Sequence, residues 1–142
     1  MTLKDGIFII ASMLPTNPVL DIYGASNPFN GAIAGVVGLS VLSNTILIKN
    51  ILKSVLSNVW ITAPRDGSVS QVDTSKYDPI YNEDTRWKIT NVDSSTYQIE
   101  SVKFPSHVID LEYASSADNT HAILYPNQNS VNQIWKFIPV AI

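Results

Sequence analysis

The chain has 142 residues, 45 % of them apolar and 15 % charged, with a net charge of −3 and no cysteine. That length suits one domain able to bury a sizeable core. An acidic balance without a basic cluster argues against a nucleic-acid footprint, and the missing cysteines exclude a disulfide framework or a cysteine-based zinc site.

The opening Met1-Thr2-Leu3-Lys4-Asp5-Gly6 does not read as a signal peptide, because Asp5 and Gly6 interrupt any apolar run, and a cytoplasmic location is expected. Beyond it the chain is mostly strand-like. Residues 32–48 carry no charge, but 17 residues fall short of a membrane span of ~20, and Ser40, Ser43, Asn44 and Thr45 interrupt them. Buried strands are the better reading, with no membrane insertion. Next, Ile48, Ile51, Leu52, Val55, Leu56 and Val59 fall on a helical stripe, so local pattern alone predicts an amphipathic helix over 47–59. Short runs rich in Val, Ile, Tyr and Trp follow. Turn clusters separate them: Pro64-Arg65-Asp66-Gly67-Ser68, Asp93-Ser94-Ser95, Ser115-Ser116-Ala117-Asp118-Asn119 and Pro126-Asn127-Gln128-Asn129.

A long-range repeat overrides the local helix signal. Phe8-Ile9-Ile10-Ala11-Ser12, Pro18-Val19-Leu20-Asp21-Ile22 and Asn30-Gly31-Ala32-Ile33 read against Tyr97-Gln98-Ile99-Glu100-Ser101, His107-Val108-Ile109-Asp110-Leu111 and Asn119-Thr120-His121-Ala122-Ile123. The offset is 89 residues, with one insertion after Asn30. Such an offset suits two units of about 44 with a worn copy between them, and the repeat requires strands over 47–59. Thr85-Arg86-Trp87-Lys88-Ile89 and Gln133-Ile134-Trp135-Lys136-Phe137 look like closing strands of two units, and Asn44-Thr45-Ile46-Leu47 is aligned with them in the first. The units are placed at about 6–47, 48–92 and 93–142. Three such units predict an all-β barrel with threefold pseudosymmetry, which leaves no free sheet edge.

Val-Ile-Asp-Leu (108–111), Ala-Ile-Leu-Tyr-Pro (122–126) and Asn-Gln-Ile-Trp (132–135), in that order and spacing, resemble the β-trefoil proteins of ricin-B-chain type, especially small cysteine-free fungal lectins. The resemblance is strong over 95–142, fair over 6–47 and poor over 48–92. It implies a six-stranded barrel with a hairpin cap, a core Trp in each Gln-x-Trp, and a shallow sugar pocket on each unit. The chemistry fits: a carboxylate takes two vicinal hydroxyls, an amide donates and accepts, and an aromatic ring covers the apolar C–H face of a sugar. In the third unit these roles fall to Asp110, Asn132 and Tyr125, with Gln133 fixing the carboxylate and His121 near the rim. Family members often carry a polar contact two residues before the aromatic; here that position is Ile123. The first unit keeps Asp21 and Asn44, but Ala34-Gly35-Val36-Val37 is aligned with Ile123-Leu124-Tyr125-Pro126, so the aromatic is lost. The middle unit has Val59-Trp60-Ile61-Thr62 where the carboxylate should be.

Catalysis finds little support. His107 and His121 lie 14 apart with no acidic motif at metal-ligand spacing, and Ser106, His107 and Asp110 are near neighbours that alternation points apart. Neither a phosphate-cradling loop nor a nucleophile elbow is present. The expectation is therefore a non-enzymatic lectin for terminal galactose- or N-acetylgalactosamine-type glycans, a defence agglutinin without cofactor or metal. Its expected partners are glycans of glycoproteins or glycolipids, and its expected assembly is a homodimer, since pairing weak sites raises avidity. The rival reading is a β-trefoil inhibitor presenting a loop to a serine or cysteine protease. Its candidate loops are Pro15-Thr16-Asn17-Pro18, residues 25–31, and Ala63-Pro64-Arg65-Asp66-Gly67, where Arg65 suits a trypsin-like pocket. The set Asp110, Tyr125 and Asn132 favours the lectin.

Overall fold

The computed structural model describes residues 6–20, 33–38, 50–54, 59–76, 82–117 and 120–139. Ten strands run through them: β1 (Gly6–Ser12), β2 (Ile33–Gly38), β3 (Asn50–Ser54), β4 (Trp60–Thr62), β5 (Asp73–Ser75), β6 (Arg86–Asp93), β7 (Thr96–Ser101), β8 (His107–Leu111), β9 (Ala122–Pro126) and β10 (Trp135–Pro139). Among the described residues, helix is confined to the 3-10 turns Glu83–Thr85, Glu112–Ala114 and Val131–Gln133, so no helix there is long and apolar enough to cross a membrane.

Six strands pair antiparallel in a closed ring: β1 with β2, β2 with β3, β3 with β6, β6 with β7, β7 with β10, and β10 back to β1. The hairpins β4/β5 and β8/β9 attach to it through β3 and β7. This is a β-trefoil. Alternation builds its core. Tyr97, Ile99 and Ser101 of β7 are buried while the residues between them are partly exposed. Phe8 and Tyr97 both stand edge-on to Phe137, at centroid distances of 5.7 and 5.2 Å.

Contacts repeat along the chain. The indole N–H of Trp87 donates to the Ile61 carbonyl and that of Trp135 to the Ile109 carbonyl, both at 3.0 Å and both across 26 residues. Donor and acceptor each lie 48 residues further along in the second pair, and each Trp follows a 3-10 turn. At the other offset, the bridge between Ala11 and Val19 matches that between Glu100 and Val108, 89 residues on.

The helical stripe does not form a helix over Asn50–Ser54. β3 pairs there with β2 on one side and with β6 on the other, and Ile51 and Leu52 are both buried. Pairing on both edges outweighs local periodicity. One alignment is corrected. β2 pairs with β1 as β10 pairs with β7, so residues 34–37 belong to the closing strand of the first unit and do not correspond to β9. Asn44-Thr45-Ile46-Leu47 follows that strand, outside the described residues. The apolar run from 32 to 48 has no turn cluster or Trp to mark where the strand falls.

Replacing Trp87 or Trp135 by Phe keeps most of the buried ring but leaves a buried carbonyl unpaired. Each change should cost about 1–3 kcal/mol of unfolding free energy in urea, read by far-ultraviolet circular dichroism. Equal stability of variant and wild type would show that these bonds do not hold the hairpins.

Candidate functional site

The β8/β9 hairpin sorts its side chains by alternation. Ile109, Leu111 and Leu124 join the core cluster and Ala122 packs against it. Val108 and Asp110 on β8, and Ile123 and Tyr125 on β9, therefore occupy the opposite face. The register pairs Asp110 with Ile123 and Val108 with Tyr125. Pairing continues past the strands, where the Glu112 N–H donates to the His121 carbonyl at 3.0 Å. Glu112 and His121 thus extend the same face, with Glu112 Oε2 3.8 Å from His121 Nδ1.

Asp110 is only 4 % exposed, and amides hold both of its oxygens. Oδ1 accepts from Asn132 Nδ2 at 3.0 Å, and Oδ2 from Gln133 Nε2 at 2.8 Å. Asn132 gives its other amide proton to the Leu111 carbonyl at 3.1 Å, which leaves its own oxygen for a ligand. Gln133 is fully buried and fully used. Its second proton goes to the Pro126 carbonyl at 3.0 Å, and its Oε1 accepts from Gln128 N–H at 2.8 Å. The 3-10 turn Val131–Gln133 makes this possible, because it presents two successive amides to β8 just before Trp135 docks on Ile109.

Burial pushes the Asp110 carboxyl above the usual carboxylate range. The amide bonds from Gln133 and then Asn132 oppose that shift, and the nearby charge of Glu112 adds to it. A negative field with an imidazole beside it therefore lines this end of the hairpin.

Of the residues expected from sequence, Asp110, Asn132 and Gln133 come together in one hydrogen-bonded set. Tyr125 is half-buried on the same face, and His121 stands exposed at its open end. Asp21 and Asn44 lie outside the described residues. Glu112 is an addition; it starts the 3-10 turn two residues beyond Asp110, and that spacing was the available signal. In the middle unit, the offset of 48 puts Thr62 in the place of Asp110, Thr85 in that of Gln133 and Asp84 in that of Asn132. Both threonines are buried, and Asp84 instead pairs with Lys103 at 2.8 Å. Among the described residues no three His, Cys, Asp or Glu side chains converge as metal ligands.

These features coincide with those of one family. The model of the ricin-type β-trefoil lectin domain-like family matches residues 48–125, more than half of the chain, and the chain belongs to that family. Comparison with curated sequences finds no match. Among solved structures, the agglutinin of Rhizoctonia solani is similar at 22 % identity and a TM-score of 0.73, over 99 % of each chain. The C-terminal half of an earthworm R-type lectin, in complex with N-acetylgalactosamine, has 21 % identity and a TM-score of 0.61, over 95 % of this chain and 99 % of that one. A proteinase inhibitor from Coprinopsis cinerea has 12 % identity and a TM-score of 0.67, over 98 % of this chain and all of the other. At these identities the likeness is one of fold.

The amide of Gln133 favours the ionised form of Asp110, so its removal should matter most where that form prevails. Because the folded pKa is raised, Asp110 contributes its full stability below the unfolded value of about 3.9, and that contribution fades as pH rises through the folded pKa. Gln133→Leu should raise the folded pKa further. Its stability deficit in urea should therefore be larger at pH 7 than at pH 4; a deficit independent of pH would separate Gln133 from the carboxylate.

Proposed function

We propose that the chain is a carbohydrate-binding lectin, and that its third-unit pocket takes terminal galactose- or N-acetylgalactosamine-type sugars. One observation carries this reading: the buried carboxylate of Asp110 is held from behind by two amides, on the face that also bears Tyr125. Each oxygen spends one lone pair on Asn132 or Gln133 and keeps another for a sugar hydroxyl. A charged acceptor makes stronger bonds than a neutral one, and its geometry is fixed before the ligand arrives. Tyr125, diagonal to Asp110 across the hairpin, offers its ring to the C–H face of the sugar. Asn132 Oδ1 accepts from a neighbouring hydroxyl, and His121 stands at the rim. Asp21, 89 residues before Asp110, is proposed as the remnant of a first-unit site; Asn44 follows the closing strand β2 of that unit and so does not share the place of Asn132, which precedes β10. Family membership and lectin neighbours support the reading.

On this reading the partners are glycans of glycoproteins or glycolipids, and a homodimer would pair the sites for avidity. The proposed setting is a cytoplasmic defence agglutinin. The inhibitor reading is weaker on local geometry. Arg65 sits in a tight turn closed by the bond from Gly67 N–H to the Pro64 carbonyl at 2.9 Å, and its own carbonyl accepts from Lys103 Nζ at 3.5 Å. Gly67, at a φ of +70°, lies so close to the Phe104 ring that a Cβ would stand 2.6 Å from it. Such a braced turn opposes the extended backbone that a protease cleft binds.

A glycan array comparing wild type with Asp110→Ala tests the proposal. Binding to terminal galactose or N-acetylgalactosamine should appear with wild type and vanish in the variant; silence from both would remove the lectin reading. Because the ionised carboxylate is the acceptor and its pKa is raised, wild-type binding should weaken in mildly acidic buffer, before an ordinary aspartate is titrated near about pH 4. A profile flat to that pH would argue against Asp110 as the charged contact.

A further inference from the structure

β9 has a second neighbour on the side away from β8. The Leu124 N–H donates to the Ser70 carbonyl at 3.0 Å, the Val72 N–H donates to the Ala122 carbonyl at 2.9 Å, and Gln71 forms an antiparallel bridge with Ile123. Residues 70–72 come from the middle unit, so the edge of the third-unit hairpin is walled by another copy of the repeat. Directly opposite residues of an antiparallel bridge share a face, with Cβ atoms about 4.5–5.5 Å apart. The neighbouring residue gives the same orientation independently: Val72 packs against the core, so alternation turns Gln71 outward, and Gln71 is exposed.

The register therefore lays one row across three adjacent segments, Asp110 then Ile123 then Gln71, all on the pocket face. A second row crosses it along β9, from His121 through Ile123 to Tyr125. Ile123 sits where the rows meet, 7 % exposed, with a side chain that offers no hydrogen bond. The pocket thus has an apolar floor, a carboxylate on one side and an amide on the other. The outer strands are two inter-strand spacings apart, about 9–10 Å, a gap that a pyranose ring with its hydroxyls bridges.

We propose that Gln71 is a sugar-binding residue and that the third-unit site is a composite of two units. This rests on the lectin reading of the Asp110 pocket and extends it to the opposite wall. Gln71 is long enough to lean over Ile123, and its amide both donates and accepts. The ligand it selects is a pyranose with a hydroxyl or acetamido group on the side away from the hydroxyls held by Asp110.

The test uses methyl β-galactoside and N-acetylgalactosamine in calorimetric titrations of wild type, Asp110→Ala, Gln71→Ala and Gln71→Leu, with the Tm of each. One neutral hydrogen bond predicts roughly three- to tenfold weaker binding in both Gln71 variants. Their Tm values should match wild type, because the side chain is exposed. Wild-type affinity in both Gln71 variants, alongside lost binding in Asp110→Ala, would overturn this inference and leave the lectin reading standing. Loss in Gln71→Ala but not in Gln71→Leu would make the contact one of packing and overturn the role of the amide. Binding of neither sugar by wild type would overturn both readings.

Discussion

Four hydrogen bonds tie residues 132–135 to residues 109–111 of β8, and the placement of the Asp110 carboxylate depends on them. The indole of Trp135 holds the Ile109 carbonyl, the amides of Gln133 and Asn132 hold the two oxygens of Asp110, and Asn132 also holds the Leu111 carbonyl. Trp135 and Gln133 are fully buried or nearly so, where hydrogen bonds are electrostatically strong and unmet partners are costly. The staple also sets register. A slip of β8 by one residue would turn Asp110 into the core and Ile109 out of it, so the bonds that orient the carboxylate also select the only pairing that keeps the core apolar.

The middle unit shows which part of the staple serves the fold. There the bond from the indole to a carbonyl persists, from Trp87 to Ile61, while the buried carboxylate and its amide are replaced by Thr62 and Thr85. A buried hydroxyl needs far less compensation than a buried charge. Asp84, standing where Asn132 stands in the third unit, serves instead as the partner of Lys103. The barrel is thus indifferent to the carboxylate. In the third unit, burial raises the Asp110 pKa even though two amides oppose it, which marks a group kept at a cost to stability. On the proposed lectin reading, that cost is what an acceptor held in place before its ligand arrives carries.

Sequence made the third unit legible because its markers are chemically distinctive and closely spaced: an Asp inside an apolar strand, a Tyr fifteen residues on, and Asn-Gln before a Trp. The offset of 89 was equally legible, since it rests on alternating residues that the core demands at Phe8 and Tyr97, Ile10 and Ile99, and Ser12 and Ser101. The first unit misled because β2 is a short run of Ile, Ala, Gly and Val with no aromatic, and any of several registers satisfies such a pattern. Over β3 the helical stripe was a local signal that pairing on both sides overrode. Glu112 was within reach through its spacing from Asp110. Gln71 was not, because the pairing of residues 70–72 with β9 links different units and no local pattern marks it.

That last point changes how the copies are understood. A unit that lacks the carboxylate is easily taken for a spacer, kept for its share of the barrel alone. Yet its backbone accepts the Leu124 N–H and donates to the Ala122 carbonyl, so it supplies the hydrogen-bonding partners that β9 lacks on its outer edge. An unpaired edge there would leave the strand bearing Ile123 and Tyr125 paired on one side only, with its outer N–H and C=O groups unmet. On the proposed lectin reading, preorganisation of the third-unit site would therefore depend on the middle unit through backbone geometry, independently of any contact that Gln71 makes with a ligand. On that reading a unit without the carboxylate still contributes, because its strand edge pairs with the strand that carries a neighbour's proposed binding face.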